Sequence, residues 1–319
     1  MLNNTLILGL NPAWQRLFIT EKFELGEVHR LPKAVEFGSG KGINCGRVLQ
    51  LLGGNPVMMH FLGGSHGSCI FDELSNAGIQ QVPIWIQTPT RICTTVVSDG
   101  VTTELIEPSP VLSDLENEDF IQTLSENWED VNRIVVCGSF PINFESETLL
   151  NIDLKDKRLF VDAINDIDKW LEKGVELLKL NANEYFKLLQ HMSIPQVTSS
   201  PQFWKITAST VLERLPIHYL VVTDEDGPVR VFFMVEGKFQ FIQLQPPSIK
   251  VVNSIGAGDS FLAGWLRADA LDFSLEETIC RATAVAVARC EVERPWNLKL
   301  DRVHQLEKEL LSAIERIAD

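Results

Sequence analysis

A short glycine-rich segment that ends in an aspartate is the residue pattern with the clearest chemical meaning. Gly256, Ala257 and Gly258 precede Asp259, and a helical pattern follows at 261–270. Small residues let backbone N–H groups face outward at a helix N-terminus, where the helix dipole favours an anion. A carboxylate there suits a base that takes a proton from an attacking hydroxyl while the N–H groups hold a phosphoryl group. The residues alone also allow a carboxylate that only stabilises the helix N-terminus.

A second glycine-rich turn, at 38–44, could present polar groups to a ligand. It reads Gly-Ser-Gly-Lys-Gly-Ile-Asn and opens a helical pattern. It is not a P-loop, which needs Ser or Thr where Gly42 stands, nor a dinucleotide fingerprint, which needs Gly where Ile43 stands. The turn therefore either offers Lys41 and Asn44 to a polar ligand or is only a tight turn before a helix.

The elements that must position these turns alternate between strands and helices. Short apolar β segments separated by helix-period segments indicate a parallel sheet covered by helices on both faces. Ser274 and Glu277 form the capping-box pattern, which predicts that a helix starts there. The predicted strands are residues 5–10, 57–62, 133–137, 159–162, 176–180 and 219–223, and the predicted helices are residues 42–52, 69–76, 114–127, 167–173, 183–190, 208–215, 256–270, 274–290 and 303–317.

Two β-rich segments, at 16–37 and 82–107, interrupt the alternation. Residues 91–98 and 101–106 flank an Asp-Gly turn, which predicts a hairpin. The two segments could pair as a small accessory sheet. Beside the carboxyl ends of the main strands, such a sheet would act as a lid.

The composition excludes several classes of function. The 319 residues include 28 Lys and Arg against 43 Asp and Glu, a net charge of −15, which disfavours a nucleic-acid partner. No apolar run approaches the ~20 residues that span a bilayer, and the N-terminus lacks a basic signal region. The six cysteines show no C-x-x-C spacing, so we expect free thiols in a reducing cytoplasm.

The two glycine-rich motifs and several shorter ones, in this order, resemble the ribokinase-like (PfkB) carbohydrate kinases. Within that family the resemblance is to the phosphosugar branch, the 1-phosphofructokinases and tagatose-6-phosphate kinases, and it covers nearly the whole chain. The motifs are Asn11-Pro12-Ala13, Gly26-Glu27-Val28, Gly40-Lys41-Gly42-Ile43-Asn44, Thr90-Arg91-Ile92, Gly138-Ser139-Phe140-Pro141, Lys179-Leu180-Asn181-Ala182-Asn183-Glu184, Pro246-Pro247-Ser248 and Gly256-Ala257-Gly258-Asp259-Ser260.

The resemblance implies one α/β domain over residues 1–319: a ribokinase-like three-layer core with a mainly parallel sheet, and a small β-sheet lid from about 15–37 and 82–107. It also implies that Asp259 is the general base in phosphoryl transfer from ATP to a sugar hydroxyl, with the N–H groups of residues 256–258 as the anion hole.

For the nucleotide and the metal, the resemblance assigns further residues. Asn181 and Glu184 match the family's N-x-x-E element, which organises Mg²⁺ and phosphates largely through water. From the residues alone, a helix cap with a first-turn acid is the competing interpretation. We expect Thr223 and Gly227, together with Asn181 and the glycines of the anion hole, to lie near the nucleotide.

For the sugar, Lys41 and Arg91 match the positions that hold the phosphate already present on the substrate. An ammonium and a forked guanidinium, one from the core and one from the lid, would clamp a dianion. Gly40 and Asn44 would contact sugar hydroxyls or phosphate, and Asn11 lies in the Asn-Pro-Ala element on the same side. The implied reaction converts a ketohexose phosphate (fructose 1-phosphate, tagatose 6-phosphate or fructose 6-phosphate) to a bisphosphate, and the lid could form a homodimer.

Three departures from the family pattern keep other functions open. Gln15 stands where the branch usually has Asp, but its amide can still donate and accept hydrogen bonds, so we expect it to contact the substrate. Cys93 stands where the branch often has Asn, and three acids at 224–226 occupy the loop that in the family approaches the ATP phosphates. The first two favour a kinase of an unphosphorylated sugar or nucleoside. Gln15 and the acidic loop favour a non-catalytic sensor of nucleotide or phosphosugar.

Overall fold

Thirteen strands form two sheets in the computed structural model, which describes residues 5–317 apart from 32, 100, 128, 151–153, 155–156, 164–170, 197–201 and 226. The strands are β1 Thr5–Leu8, β2 Ala13–Thr20, β3 Val35–Ser39, β4 Pro56–Gly63, β5 Gln80–Ile86, β6 Ile92–Ser98, β7 Val101–Ile106, β8 Arg133–Cys137, β9 Arg158–Asp162, β10 Val175–Asn181, β11 Ile217–Thr223, β12 Val229–Val235 and β13 Lys238–Leu244.

The larger sheet has nine strands in the order β13-β12-β11-β10-β9-β8-β1-β4-β5. Its strands run parallel from β5 to β11, and the β12–β13 hairpin is antiparallel. The parallel strands are apolar on both faces, as a sheet covered on both sides requires. Because these strands are parallel, their carboxyl ends meet along one edge, and the functional side chains lie there.

Helices cover both faces of this sheet, so the predicted three-layer α/β core is confirmed. Within β1, for example, Leu6 and Leu8 belong to one buried cluster and Ile7 to the other. This alternation follows from the two-residue period of a strand. The described helices are α1 Lys41–Leu51, α2 Gly64–Asn76, α3 Asp114–Glu126, α4 Ser146–Leu150, α5 Ala182–His191, α6 Phe203–Arg214, α7 Ala257–Asp269, α8 Leu275–Cys290 and α9 Leu300–Ile317.

The smaller sheet has the order β3-β2-β6-β7, and it brings together the two β-rich segments predicted to form a lid. The predicted β6–β7 hairpin is present with antiparallel pairing. The lid boundary at residue 82 is wrong, because residues 80–86 form β5, which pairs with β4 in the larger sheet. An edge strand of the main sheet and a lid strand show the same apolar alternation, so the pattern could not separate them. The lid-mediated homodimer stays a prediction.

Other boundaries differ in informative ways. The β12–β13 hairpin was not predicted, although Glu236 and Gly237 form its turn with positive φ angles of 50° and 74°. The capping box at Ser274 is confirmed. The Glu277 carboxylate accepts from the Ser274 backbone N–H at 2.9 Å, and the Glu277 backbone N–H donates to Ser274 Oγ at 3.3 Å. Residues 167–170 of the helix predicted over 167–173 lie outside the described residues. No helix in the described part of the chain has the length and apolarity needed to cross a bilayer.

Helix α1 approaches the start of the chain closely because two glycines face each other. A Cβ atom placed on Gly9, just after β1, would lie 2.6 Å from the Cα atom of Gly42, and one placed on Gly42 would come at least as close to Gly9. Both neighbouring atoms are backbone, so neither side can yield easily. This contact sets the position of the first turn of α1, which carries Lys41 and Asn44.

Replacing Gly42 by Ala should therefore destabilise the protein although alanine favours helix. We expect Gly42→Ala to lower the free energy of unfolding by about 3 kcal/mol. Gly237→Ala is the control, because a Cβ there meets no atom within 4 Å and only its φ of +74° is unfavourable, at a cost of about 1 kcal/mol. Urea denaturation measures both, and equal losses would contradict the close-approach argument.

Candidate active site

The candidate site lies at the carboxyl edge of the larger sheet. Strands β1, β8, β9, β10 and β11 end there, and helices α1 and α7 begin there. This is where open α/β sheets bind ligands. The side chains come from segments distant in sequence, and the parallel register of the strands brings them together.

Asp259 lies in the first turn of α7 and is buried. Asn44 from α1 donates its Nδ2 hydrogen to Asp259 Oδ2 at 2.8 Å, across 215 residues of sequence, because α1 packs against α7. Gly256 caps α7 in the left-handed conformation, with φ 77°, and a Cβ there would lie 3.3 Å from the Asn44 amide nitrogen. The glycine thus permits both the turn and the Asn44–Asp259 contact.

The predicted anion-hole segment forms the turn into α7, but one of its N–H groups is already used. Ala257 N–H donates to the Ser254 carbonyl at 3.1 Å, closing the turn. Gly258 packs against the ammonium of Lys179, since a Cβ at this position would lie 2.7 Å from Lys179 Nζ. The segment therefore begins α7 beside a fixed positive charge.

Two lysines share one buried carboxylate next to Asp259. Asp162, at the end of β9, accepts a hydrogen bond from Lys41 Nζ at 2.7 Å and from Lys179 Nζ at 2.8 Å. Lys41 also donates to Glu184 Oε1 at 2.9 Å. Burial alone would raise the pKa of Asp162, but the two ammonium groups hold it below its ordinary value. Burial opposes the charge of Lys41, yet the surrounding carboxylates raise its pKa above the usual range.

The same cluster has the opposite effect on Asp259. Burial, with the Asp162 carboxylate, raises the pKa of Asp259 to about 6, and Lys179 and Lys41 oppose this rise. A carboxylate with a pKa near 6 is ionised at neutral pH and remains a usable proton acceptor. The environment therefore suits a general base.

Asp162 and Lys179 were not among the predicted site residues. A single aspartate at a strand end carries no motif spacing. Lys179 belongs to the motif at 179–184, but the motif gives it no role. The available signal was chemical: a charged residue inside or at the end of a strand predicted to be buried on both faces needs a partner.

Asn181 and Glu184 form a capping box at the start of α5. Asn181 Oδ1 accepts from the Glu184 backbone N–H at 2.8 Å, and Glu184 Oε2 accepts from the Asn181 backbone N–H at 2.9 Å. The helix-cap interpretation is thus confirmed as geometry, and it does not exclude a ligand role, because Glu184 also faces Lys41. Its carboxylate is 17% exposed, whereas Asp162 is fully buried.

The residues present fit a hydrated magnesium ion better than a directly caged one. Within the described residues, no group of three or more His, Cys, Asp or Glu side chains could hold a metal. Mg²⁺ usually keeps several waters and binds through one or two carboxylates plus substrate phosphates. Glu184, partly exposed and beside Asn181, is the carboxylate that meets this requirement.

At the junction with the smaller sheet, Arg91 and Asn11 lie together. Arg91 Nη2 donates to the Asn11 carbonyl at 3.0 Å, and Asn11 Nδ2 donates to the hydroxyls of Ser109 and Ser139 at 2.8 Å each. Among the described residues, Asn11 Oδ1 and Arg91 Nε are buried without a hydrogen-bond partner. Ser109 was not predicted, and Ser139 was noted only within a motif; both are partly exposed and retain a hydroxyl proton to donate.

Gly40 makes the approach of this junction to α1 feasible. Its φ is 119°, and a Cβ would lie 3.1 Å from the Cα atom of Pro12. Lys41 follows directly but points to Asp162 and Glu184, so its charge is already paired with carboxylates. Lys41 and Arg91, predicted to clamp one phosphate together, therefore contact different groups in this structure: Lys41 contacts carboxylates of the core and Arg91 contacts Asn11.

Gln15 lies inside the smaller sheet. Its side chain is buried and donates to Thr95 Oγ1 at 2.8 Å, and its backbone is in register with Cys93. Burial raises the pKa of the Cys93 thiol, although Arg91 opposes the rise. The amide hydrogens of Gln15 are therefore used within the sheet.

Thr223 ends β11 in register with Asn181, and Gly227 lies in the following loop. A Cβ on Gly227 would lie 2.6 Å from Asp224 Oδ2, so the loop folds back tightly. Asp224 forms an ion pair with Arg230 at 3.5 Å, and Glu225 is exposed, whereas residue 226 lies outside the described residues. One of the three acids at 224–226 is thus paired with a positive charge, so the loop carries less unpaired negative charge than its sequence suggests.

Comparisons with known proteins show the family and the fold of this chain. Residues 15–297 match the pfkB family of carbohydrate kinases. A tagatose-6-phosphate kinase from Staphylococcus epidermidis is 26% identical over 312 residues, covering 96% of this chain and 98% of the relative.

Two solved structures share the fold. Phosphofructokinase-2 from Escherichia coli, in complex with substrates and products, superposes with a TM-score of 0.84 at 22% identity and covers 96% of this chain and 99% of its own. Ribokinase from Thermotoga maritima gives 0.74 at 17% identity over 95% and 99% of the two chains. The fold is therefore ribokinase-like.

The fold and the site at the strand ends define a phosphotransferase. The chain belongs to the pfkB family of carbohydrate kinases.

The buried charge of Asp259 should reduce stability at neutral pH. Its pKa is about 6 in the folded protein against an ordinary 3.8, so the ionised form opposes folding above pH 6. Asp259→Asn should raise the free energy of unfolding at pH 8 by roughly 1–3 kcal/mol. This gain should disappear as the pH falls from 6 to 4, because the wild-type carboxyl then takes up a proton.

Asp269→Asn, in the same helix, is the matched control. Arg133 and Arg158 donate hydrogen bonds to the Asp269 carboxylate, so its replacement should lower stability at pH 8. Urea titrations at several pH values measure both variants. An Asp259→Asn protein less stable than the wild type at pH 8 would contradict the stated cause of the pKa shift.

Proposed function

We propose that this protein phosphorylates a ketohexose phosphate with ATP, giving a bisphosphate, and that Asp259 is the general base. The observation that carries the proposal is the position of Asp259: buried at the start of α7, oriented by Asn44 and surrounded by Lys41, Lys179 and Asp162. A carboxylate in this setting has few structural uses, and its burial costs stability. A buried carboxylate with a shifted pKa is therefore a candidate for a functional residue.

The proposed step transfers one proton and one phosphoryl group. A sugar hydroxyl loses its proton to Asp259, its oxygen bonds to the γ-phosphorus of ATP, and the bond to the ADP oxygen breaks. Because Asp259 Oδ2 accepts from Asn44, we assign Oδ1 as the oxygen that takes the proton. Backbone N–H groups at the start of α7 and the nearby Lys179 ammonium would stabilise charge on the transferring group.

Glu184 and Asn181 are the residues that would hold Mg²⁺. When bound, the ion would neutralise phosphate charge. Lys41, which contacts Glu184, would keep that carboxylate oriented toward the nucleotide. ATP as donor is part of the proposal, supported by the positions of Asn181 and Thr223 at adjacent strand ends.

Several observations support a phosphorylated sugar. Arg91 lies beside Asn11, Ser109 and Ser139, and its Nε is an unused buried donor among the described residues. Anions are matched by guanidinium groups and hydroxyls in this arrangement. The relative from Staphylococcus epidermidis is named tagatose-6-phosphate kinase.

A kinase of a neutral sugar is the second candidate, and one observation favours it. Lys41 is bound to Asp162 and Glu184, so the substrate phosphate would have Arg91 as its main cationic partner unless Lys41 changes rotamer. The sensor hypothesis is weaker, since Asp224 is paired with Arg230.

Substrate choice should depend on Arg91. With ATP and Mg²⁺, we expect turnover of fructose 1-phosphate, fructose 6-phosphate or tagatose 6-phosphate, and little turnover of fructose, tagatose or a nucleoside. Arg91→Ala should raise KM for the phosphorylated sugar at least about tenfold and leave KM for ATP nearly unchanged.

Arg16→Ala is the matched control, because Arg16 also lies in the smaller sheet but pairs at the surface with Glu36. It should not change either KM. Equal catalytic efficiency with phosphorylated and neutral sugars, or an Arg91→Ala protein with an unchanged KM for the sugar, would reject the phosphosugar assignment in favour of the second candidate.

Asp259 should also set the acid limb of the pH–rate profile. The base must be ionised, so kcat/KM should fall as the pH drops through about 6. Asp259→Asn should lower kcat at least about 10²-fold at pH 8, where the wild-type base is ionised, whereas Asp269→Asn should retain it. Wild-type activity in Asp259→Asn would remove Asp259 from the chemistry.

A further inference from the structure

Arg289 is a fully buried guanidinium for which the proposed reaction so far has no use. It lies at the end of α8, with 0% of its surface exposed. Among the described residues, no carboxylate forms an ion pair with it, and its Nε and Nη2 atoms have no hydrogen-bond partner. A buried charge without a paired opposite charge costs several kcal/mol of stability, so its presence needs an explanation.

The contacts of Arg289 are with backbone carbonyls. Its Nη1 atom donates to Val292 at 2.8 Å and to Asn253 at 3.4 Å. These two carbonyls belong to different segments: the turn after α8 and the segment that leads into α7. The guanidinium therefore links them.

Other hydrogen bonds join the same two segments. The backbone N–H groups of Val252 and Asn253 donate to the Cys290 carbonyl at 2.8 and 3.2 Å, and Asn253 Nδ2 donates to the Glu293 carbonyl at 2.8 Å. Asn253 Oδ1 accepts from Ile255 N–H at 3.0 Å, one residue before Gly256. The turn at 290–293 thus supports the segment that places the start of α7.

Arg289 also acts electrostatically on the site. Burial lowers its pKa to about 10, so it stays charged at neutral pH, and the Asp259 carboxylate opposes that fall. Interaction between charges is mutual, so the guanidinium favours the ionised form of Asp259. An apolar side chain of similar volume would fill the space without this effect.

We propose that Arg289 is a positioning residue for phosphoryl transfer: it holds the 253–255 segment through backbone carbonyls and supplies a fixed positive charge near Asp259. The kinetic part of this inference rests on the proposed role of Asp259. The structural part, that Arg289 orders the segment before α7, does not.

Arg289→Met and Arg289→Lys test the two parts. Arg289→Met should lower kcat at least about tenfold, change either KM less than about threefold and move the acid limb to higher pH, because the charge favouring ionised Asp259 is lost. Asp162, Lys41 and Lys179, which also act on Asp259, are unchanged in the variant. Arg289→Lys should keep the acid limb at its wild-type pH but lose several-fold in kcat, since the shorter lysine side chain does not bring its nitrogen to the position from which Nη1 donates to both carbonyls.

Arg133→Met is the matched control, another buried arginine, which binds Asp269 at 3.3 Å and the Leu266 carbonyl at the opposite end of α7. It should lower the thermal midpoint and leave kcat and the acid limb unchanged. If Arg289→Met folds and retains wild-type kcat and acid limb, or if it changes them only as Arg133→Met does, the proposal is overturned. If Arg289→Met does not fold, a wild-type kcat in Arg289→Lys overturns it.

Hydrogen exchange separates this proposal from the proposed function. Peptides covering 252–258 should exchange faster in Arg289→Lys than in the wild type or Arg133→Met, whatever substrate the protein uses. Unchanged exchange would refute the positioning role. Faster exchange in a protein whose Asp259→Asn variant remains active would support the positioning role and refute the base.

Discussion

The paired contacts of two lysines with the buried Asp162 carboxylate are the interaction on which the site depends. Lys41 starts α1, Lys179 lies in β10, and Asp162 ends β9, so one carboxylate ties together three elements. Removing Asp162 would leave the buried Lys179 ammonium without this carboxylate partner, which is strongly unfavourable. The cluster therefore fixes the relative positions of the elements that surround Asp259.

The same cluster offers no net positive charge to an anion, in a chain whose net charge is already −15. Lys41 and Lys179 face Asp162, Glu184 and Asp259, so two positive charges meet three negative ones and the cluster carries no positive excess. At physiological salt the field of distant acids is screened beyond ~8 Å. In the proposed function, phosphate binding would then come from short-range groups: the start of α7, Arg91, and an ion held at Glu184.

The sequence was sufficient to predict the arrangement of strands and helices and the individual residues of some contacts, but not which residues contact each other. Alternation in β1 and the Ser274 capping box are local patterns, and local physics decides them. Asn44 and Asp259 were each predicted as site residues, yet their hydrogen bond depends on how α1 packs on α7, which no spacing encodes.

Asp162 shows the limit most clearly. A lone aspartate at a strand end becomes meaningful only when two lysines from other elements reach it. The predicted boundary between β5 and the smaller sheet was wrong for a related reason. Both segments have the same alternation, and only the pairing partner, a tertiary property, distinguishes them.

The proposed function places the chemistry and the recognition of substrate on different parts of the fold. Asp259, Lys179 and Asp162 belong to the core, held by buried charge pairs and helix packing. Arg91, by contrast, lies at the start of a strand of the smaller sheet and reaches the core through a backbone contact to Asn11.

Under the proposed function, substitutions in the smaller sheet, such as one that breaks the bond of Gln15 to Thr95, would alter which sugar is bound without disturbing the charges around Asp259. The two parts meet where Gly40 packs on Pro12, one residue before Lys41. A bound sugar phosphate that contacts both Arg91 and the turn before α1 would thereby place its hydroxyl relative to a base whose position the core has already set.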